Sequence, residues 1–176
     1  MLVLLPLVAA CSTDDLQVDE EEFLSLLSVG DVEEVVDGEV GLTPSFLNMT
    51  DPVGTGSPAQ GQGVVYTYVM NFETEDTAQE VTFGLIEFET EEFARFHYDR
   101  VTSSGVTVPV LQPVEPPVGE LSAGMDLAPG DAGSILVFKT EGVVVSLHTG
   151  QQAGLEPLTG LTGLTGLARA VEERLK

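Results

Sequence analysis

The sequence has little of what most site chemistry needs. Among 176 residues there is one cysteine, Cys11. One thiol excludes an internal disulfide and a cysteine-based zinc site. Two histidines, His97 and His148, leave little material for metal ligation or proton transfer. Lys and Arg number six against 29 Asp and Glu, a formal net charge of -23. Gripping phosphates takes a Lys/Arg surface, so nucleic acid is excluded as a partner. No apolar run approaches the roughly 20 residues that a membrane-spanning helix needs. No G-x-S-x-G elbow and no D-x-[DN]-x-[DN]-G calcium loop is present.

What is there is a folding composition: 43% hydrophobic and 20% charged residues, in a length that suits one domain. The N-terminus carries the strongest signal. Leu2 to Ala9 form a short apolar run, small residues follow, and Cys11 is succeeded at once by Ser12-Thr13-Asp14-Asp15. Such a run is the length of a signal-peptide core. The stretch Val8-Ala9-Ala10-Cys11 resembles the lipobox of bacterial lipoproteins. The resemblance implies cleavage before Cys11 and a diacylglycerol on its thiol. The run departs from the family pattern in having no preceding Lys or Arg. We therefore expect a signal peptide over 1–10, an acidic tether over 11–22 and one domain over 23–176. The expected location is the extracytoplasmic side of the cell membrane, held by the lipid anchor. Two acyl chains make a stable anchor, because each buried CH2 adds about 0.8 kcal/mol.

Within the domain, Ser28 and Asp31 have the spacing of a capping box. Val32, Val35 and Val36 give the first helix an apolar face, and Gly38 stops it. Residues 41–63, with three prolines and several glycines, read as a loop. Val64 to Phe72 and Glu80 to Phe88 are β-branched and aromatic, and predict a hairpin. Thr90-Glu91-Glu92 opens a second helix whose Phe93, Phe96, His97 and Val101 share one side. Residues 106–118, rich in proline, predict an edge segment. Ser134 to Phe138 and Val143 to His148 predict a second hairpin. Residues 157–175 predict a last helix lined by Leu158, Leu161, Leu164 and Leu167, despite the glycines of its threefold Leu-Thr-Gly repeat. The expected class is α+β, in the order α-β-β-α-β-β-α, with one antiparallel sheet of four to five strands and helices mainly on one face.

Three further stretches, Leu27-Ser28-Val29-Gly30-Asp31-Val32, Gly130-Asp131-Ala132 and Leu167-Ala168-Arg169-Ala170-Val171-Glu172-Glu173-Arg174-Leu175, loosely resemble small secreted sensor-type lipoprotein domains of actinobacteria and related bacteria. No ligand or catalytic motif travels with that resemblance.

Candidate sites are few. Gly54-Thr55-Gly56-Ser57-Pro58-Ala59 fits a relaxed dinucleotide fingerprint, but it lies within a Pro/Gly loop and not at a strand-to-helix turn. Glu87, Glu89, Glu91 and Glu92 read as a solvated acidic face. His97 reads as a packing residue and His148 as a structural strand residue. We expect no catalytic residue, no metal site and no cofactor. Tyr66, Tyr68 and Met70 alternate onto one side of a strand that is also apolar at Val65 and Val69, and are the candidate face for a small apolar ligand or a protein partner. The reading is a lipid-anchored, non-catalytic binding or sensor-type domain. Its rivals are an accessory subunit of a membrane complex and an enzyme using dispersed carboxylates.

Overall fold

The computed structural model describes residues 18–36, 41–48, 63–76, 78–103, 110–127, 133–151 and 155–176. Cys11, the apolar run over 2–9 and the Gly54–Ala59 stretch lie outside them. The described elements are α1 (Glu20–Leu26), α2 (Val29–Val35), β1 (Leu42–Asn48), β2 (Val64–Thr74), β3 (Gln79–Phe88), α3 (Glu91–Ser103), β4 (Gln112–Pro113), β5 (Leu121–Asp126), β6 (Ser134–Thr140), β7 (Val143–Gln151) and α4 (Leu161–Arg174). Among the described residues no helix is long and apolar enough to cross a membrane.

The class is α+β with one antiparallel sheet, as expected, but the sheet has seven strands, in the order β1-β2-β3-β7-β6-β5-β4. The expected hairpins are β2–β3 and β6–β7, joined to each other through the β3–β7 pair. The additional strands are short or lie at the margins. Leu42–Asn48 was expected to be loop because it is interrupted by Pro44; it pairs with β2 as an edge strand, where a missing donor is tolerated. Leu121–Asp126 is built of small residues with no β-branched run, and pairs with β6.

Alternation divides the sheet into two apolar layers. Phe72, Val81, Phe83, Leu85, Leu136, Phe138, Val145 and Leu147 face one side, where they pack with residues of α1, α2 and α4. Phe88, Val137, Val144 and Ala123 face the other, where Ala94 and Tyr98 of α3 cover them. The helices thus occupy both faces. α3 stands alone on the second.

The acidic stretch also ends earlier than expected. Val18 is fully buried, Asp19 caps α1 by accepting from the Glu22 amide at 2.9 Å, and Glu20–Glu22 form the first helical turn. Negative charge at a helix N-terminus is favourable, which gives these glutamates a structural place. Phe23 then enters the core, its ring 4.9 Å from Phe83 and 5.0 Å from Tyr68.

The capping box of α2 forms as the sequence predicts, with Ser28 and Asp31 bonded reciprocally. Asp31 does more. Its two oxygens accept from Arg174 at 2.8 and 2.7 Å, and the same guanidinium reaches the Leu26 carbonyl at 2.8 Å. One arginine at the end of α4 therefore clamps the α1–α2 joint. The first turn of α4 is capped from a distance, since Gly160 has no side chain to offer and Asp126 Oδ1 accepts from the Leu161 amide at 2.7 Å.

The Arg174 hydrogen bonds hold the Asp31 carboxyl well below the usual carboxylate range. Its folded-state pKa is below its unfolded one, so the stabilisation is complete above about pH 4 and is lost as pH falls further. Both partners are partly solvated, which discounts the pair. We expect Asp31→Asn and Arg174→Met each to cost about 1–2 kcal/mol at neutral pH. Urea unfolding between pH 7 and pH 3 should show Asp31→Asn losing less stability on acidification than the parent. Parallel pH profiles would count against the clamp.

Candidate functional site

The aromatic side of β2 is not a free surface. Tyr68 and Met70 are 2% and 4% exposed. Tyr68 stacks on Phe23 of α1, and Tyr66, partly buried against the same core, stacks on Tyr68 at 5.8 Å. The expected face of Tyr66, Tyr68 and Met70 is core, because the helix that covers it begins within the stretch read as tether. Glu87 lies on this side too, 6% exposed, and its Oε2 accepts from the Val18 amide at 3.1 Å. The acidic run is accordingly not one solvated face. Glu87 is buried and Glu91 bonds Lys139 at 3.1 Å.

The opposite side of the sheet carries the polar side chains. Register sets Ser45, Asn71, Thr82, His148 and Ile135 side by side on β1, β2, β3, β7 and β6. The adjacent row is Leu47, Val69, Gly84, Ser146 and Val137. On the other flank are Thr43, Glu73, Glu80 and Gly150. α3 packs over β3, β7 and β6 at one end of this face. Toward β1 the face opens: Leu47 is 56% exposed and Ser45 is exposed.

Two glycines shape the surface. A Cβ at Gly84 would lie 2.8 Å from Ser146 Oγ, and one at Gly150 would lie 2.7 Å from Glu80 Oε1. The bare backbone at 150 thus lets the Glu80 carboxylate lie across β7. Thr82 Oγ1 donates to Asn71 Oδ1 at 2.9 Å, which leaves the Asn71 amide hydrogens for other acceptors. Burial pushes the His148 pKa down, and the charge of Glu80 offsets this in part. His148 is therefore a neutral imidazole at neutral pH, with one nitrogen able to accept. His97 also has a depressed pKa, from burial first and Arg100 second, and it packs 5.2 Å from the Phe88 ring. Phe96, expected on the same apolar side, is 57% exposed; the docking stripe of α3 centres on Ala94 and Tyr98 instead.

α3 is fixed where it meets the sheet. Lys139 of β6, 1% exposed, puts Nζ 3.1 Å from Glu91 and 2.5 Å from Glu120. Among the described residues no group of three or more His, Cys, Asp or Glu could hold a metal ion. Of the second face the sequence reading named only Val69 and His148, the latter as a structural strand residue, and its other polar residues escaped it. Their only signal was the polar half of the alternation in β2 and β3, which any solvated strand face shows.

No family model matches the sequence, and no curated protein does. The fold is nonetheless shared with a solved structure. The extracellular domain of PknH from Mycobacterium tuberculosis superposes with a TM-score of 0.58 at 13% identity, over 90% of this chain and 96% of that one. At that identity the likeness is one of fold.

Two outcomes follow from this geometry. Both histidines should titrate below 6.5 by NMR, and Glu80→Gln should lower His148 further while leaving His97 in place; a His148 unmoved by Glu80→Gln would contradict the pairing. Lys139→Ala should cost about 2–4 kcal/mol, as large-to-small core changes do. Lys139→Met should cost about 1 kcal/mol or less, because water can take over the two exposed carboxylates. Equal losses in thermal unfolding would mean that charge, not packing, holds α3.

Proposed function

We propose that this chain is a lipid-anchored, extracytoplasmic sensor-type domain that binds a ligand on the second face of its sheet and catalyses no reaction. The observation that carries the reading is the fold, which matches an extracellular domain along nearly its whole length. The sequence supplies the location: an apolar leader, small residues and a single cysteine before a polar turn. The second face of the sheet supports the ligand reading. One face is closed by three helices, while the other is covered by α3 at one end and exposes Leu47 and Ser45 at the other. Uncharged hydrogen-bonding groups alternate there with apolar ones, the composition of a recognition surface. Of the titratable groups on its open part, Glu73, Glu80 and His148, Glu80 and His148 lie diagonally across strands and not as a bonded base–nucleophile pair.

The test is the mass of the protein extracted from its own membranes. A chain beginning at Cys11 with a diacylglyceryl adduct is expected, and Cys11→Ala should leave the protein unprocessed. A chain that retains Met1 and carries no lipid overturns the anchor. A small molecule retained in the native spectrum should be lost when Thr82 and Ser146 are replaced by valine.

A further inference from the structure

The second face has a charge pattern that selects among ligands. The bases of this molecule are already engaged. Arg95 pairs with Asp99, Lys139 with Glu91 and Glu120, Arg174 with Asp31, and Lys176 with Glu172. Arg169 donates to the Pro116 carbonyl, and Arg100 also has a partner. None of the ion pairs among the described residues involves Glu80. That carboxylate, half-buried over Gly150, lies on the flank beside the polar row, with a second carboxylate, Glu73, paired next to it on β2. An anion placed on this face would meet two carboxylates and the field of a protein of net charge -23. A cation would meet a complementary site.

We propose, on the reading of this face as the ligand site, that the corner formed by Glu80, Thr82 and His148 receives the ammonium group of an amine ligand, with the ligand's hydrocarbon portion lying toward Val69 and Leu47. An ammonium has three donors and no acceptor. The corner offers three acceptors of different kinds: a carboxylate oxygen, a threonine hydroxyl and an imidazole nitrogen. Thr82 and His148 are cross-strand partners, and Glu80 is diagonal to His148, so the three lie within reach of one small group. The neighbouring row turns apolar toward β1, where Val69 pairs with the exposed Leu47. That places hydrocarbon contact beside the charge contact. A charge-assisted hydrogen bond to a half-buried carboxylate is stronger than one between neutral groups, which gives the amine its advantage over an alcohol of the same shape.

Cadaverine and 1,5-pentanediol share a five-carbon chain and differ in their end groups. Each is titrated into the 15N-labelled full-length chain at physiological ionic strength, where diffuse attraction is screened beyond about 8 Å. Cadaverine should shift the amides of Thr82, Ser146 and Gly150, and pentanediol should do so at least about tenfold more weakly. Glu80→Gln should weaken cadaverine by about tenfold or more, whereas Glu75→Gln, the same charge change on the exposed β2–β3 turn, should leave it unchanged. Equal losses in the two variants would reduce the effect to a counter-ion atmosphere and overturn the proposal. Equal shifts by the diol would also overturn it, while leaving the face as a binding site. A face that neither probe perturbs removes both readings.

Discussion

The structure depends on the burial of Phe23. A seven-stranded sheet has two apolar faces to hide, and α1 supplies the ring that closes the β1–β3 part of one of them. The ring stacks on Phe83 and Tyr68 and lies 5.7 Å from Phe46, so a residue near the N-terminus joins β1, β2 and β3. Fully burying a phenylalanine side chain contributes about 1.5–3 kcal/mol before the entropy of ordering α1 is set against it. That is large for a seven-residue helix, which has no independent stability in water. α1 is helical because Phe23, Leu26 and Leu27 are buried; Asp19 and the three glutamates only set where it starts.

Two of the six Lys and Arg side chains are placed at joints between layers. Arg174 ties the end of α4 to the α1–α2 turn, and Lys139 ties the start of α3 to β6 and the segment before β5. Each base there satisfies two groups at once. Most carboxylates of a chain with net charge -23 must then remain solvated, and stability has to come from the two apolar layers. The polar face follows from the same distribution. With the bases engaged elsewhere, a recognition surface built on this sheet has hydroxyls, amides, an imidazole and carboxylates to work with.

How much of this was legible in the sequence depended on where an element sits. The central strands were: Val64–Thr74, Gln79–Phe88, Ser134–Thr140 and Val143–Gln151 are β-branched and flanked by turn residues, and their expected ends fell within three residues of the observed ones. So was α2, because a capping box is a local device. Elements whose existence depends on partners were not. Leu42–Asn48 contains a proline and is held only by β2; Leu121–Asp126 is small and buried at Ser122, Ala123 and Gly124; Glu20–Leu26 begins with three like charges. The missed helix explains the missed site. Alternation in β2 correctly grouped Tyr66, Tyr68 and Met70, but which side of a strand is covered is a tertiary fact. Once α1 was read as tether, the aromatic side looked open. The polar side, where Asn71 and Thr82 meet across strands, carries no pattern that a solvated strand face lacks.

β3 is where the two sides of the molecule come together. It presents Glu80 and Thr82 to the polar face and, seven residues beyond Glu80, Glu87 to the opposite one, where the carboxylate holds the Val18 amide. Val18 is the point at which the described chain enters the domain, and it is fully buried. The chain from Cys11 to Val18 covers seven residues and reaches at most about 25 Å. The buried carboxylate at one end of the strand is taken up by the chain's entry into the domain. The half-buried carboxylate at the other end lies over the bare backbone of Gly150, on the polar face.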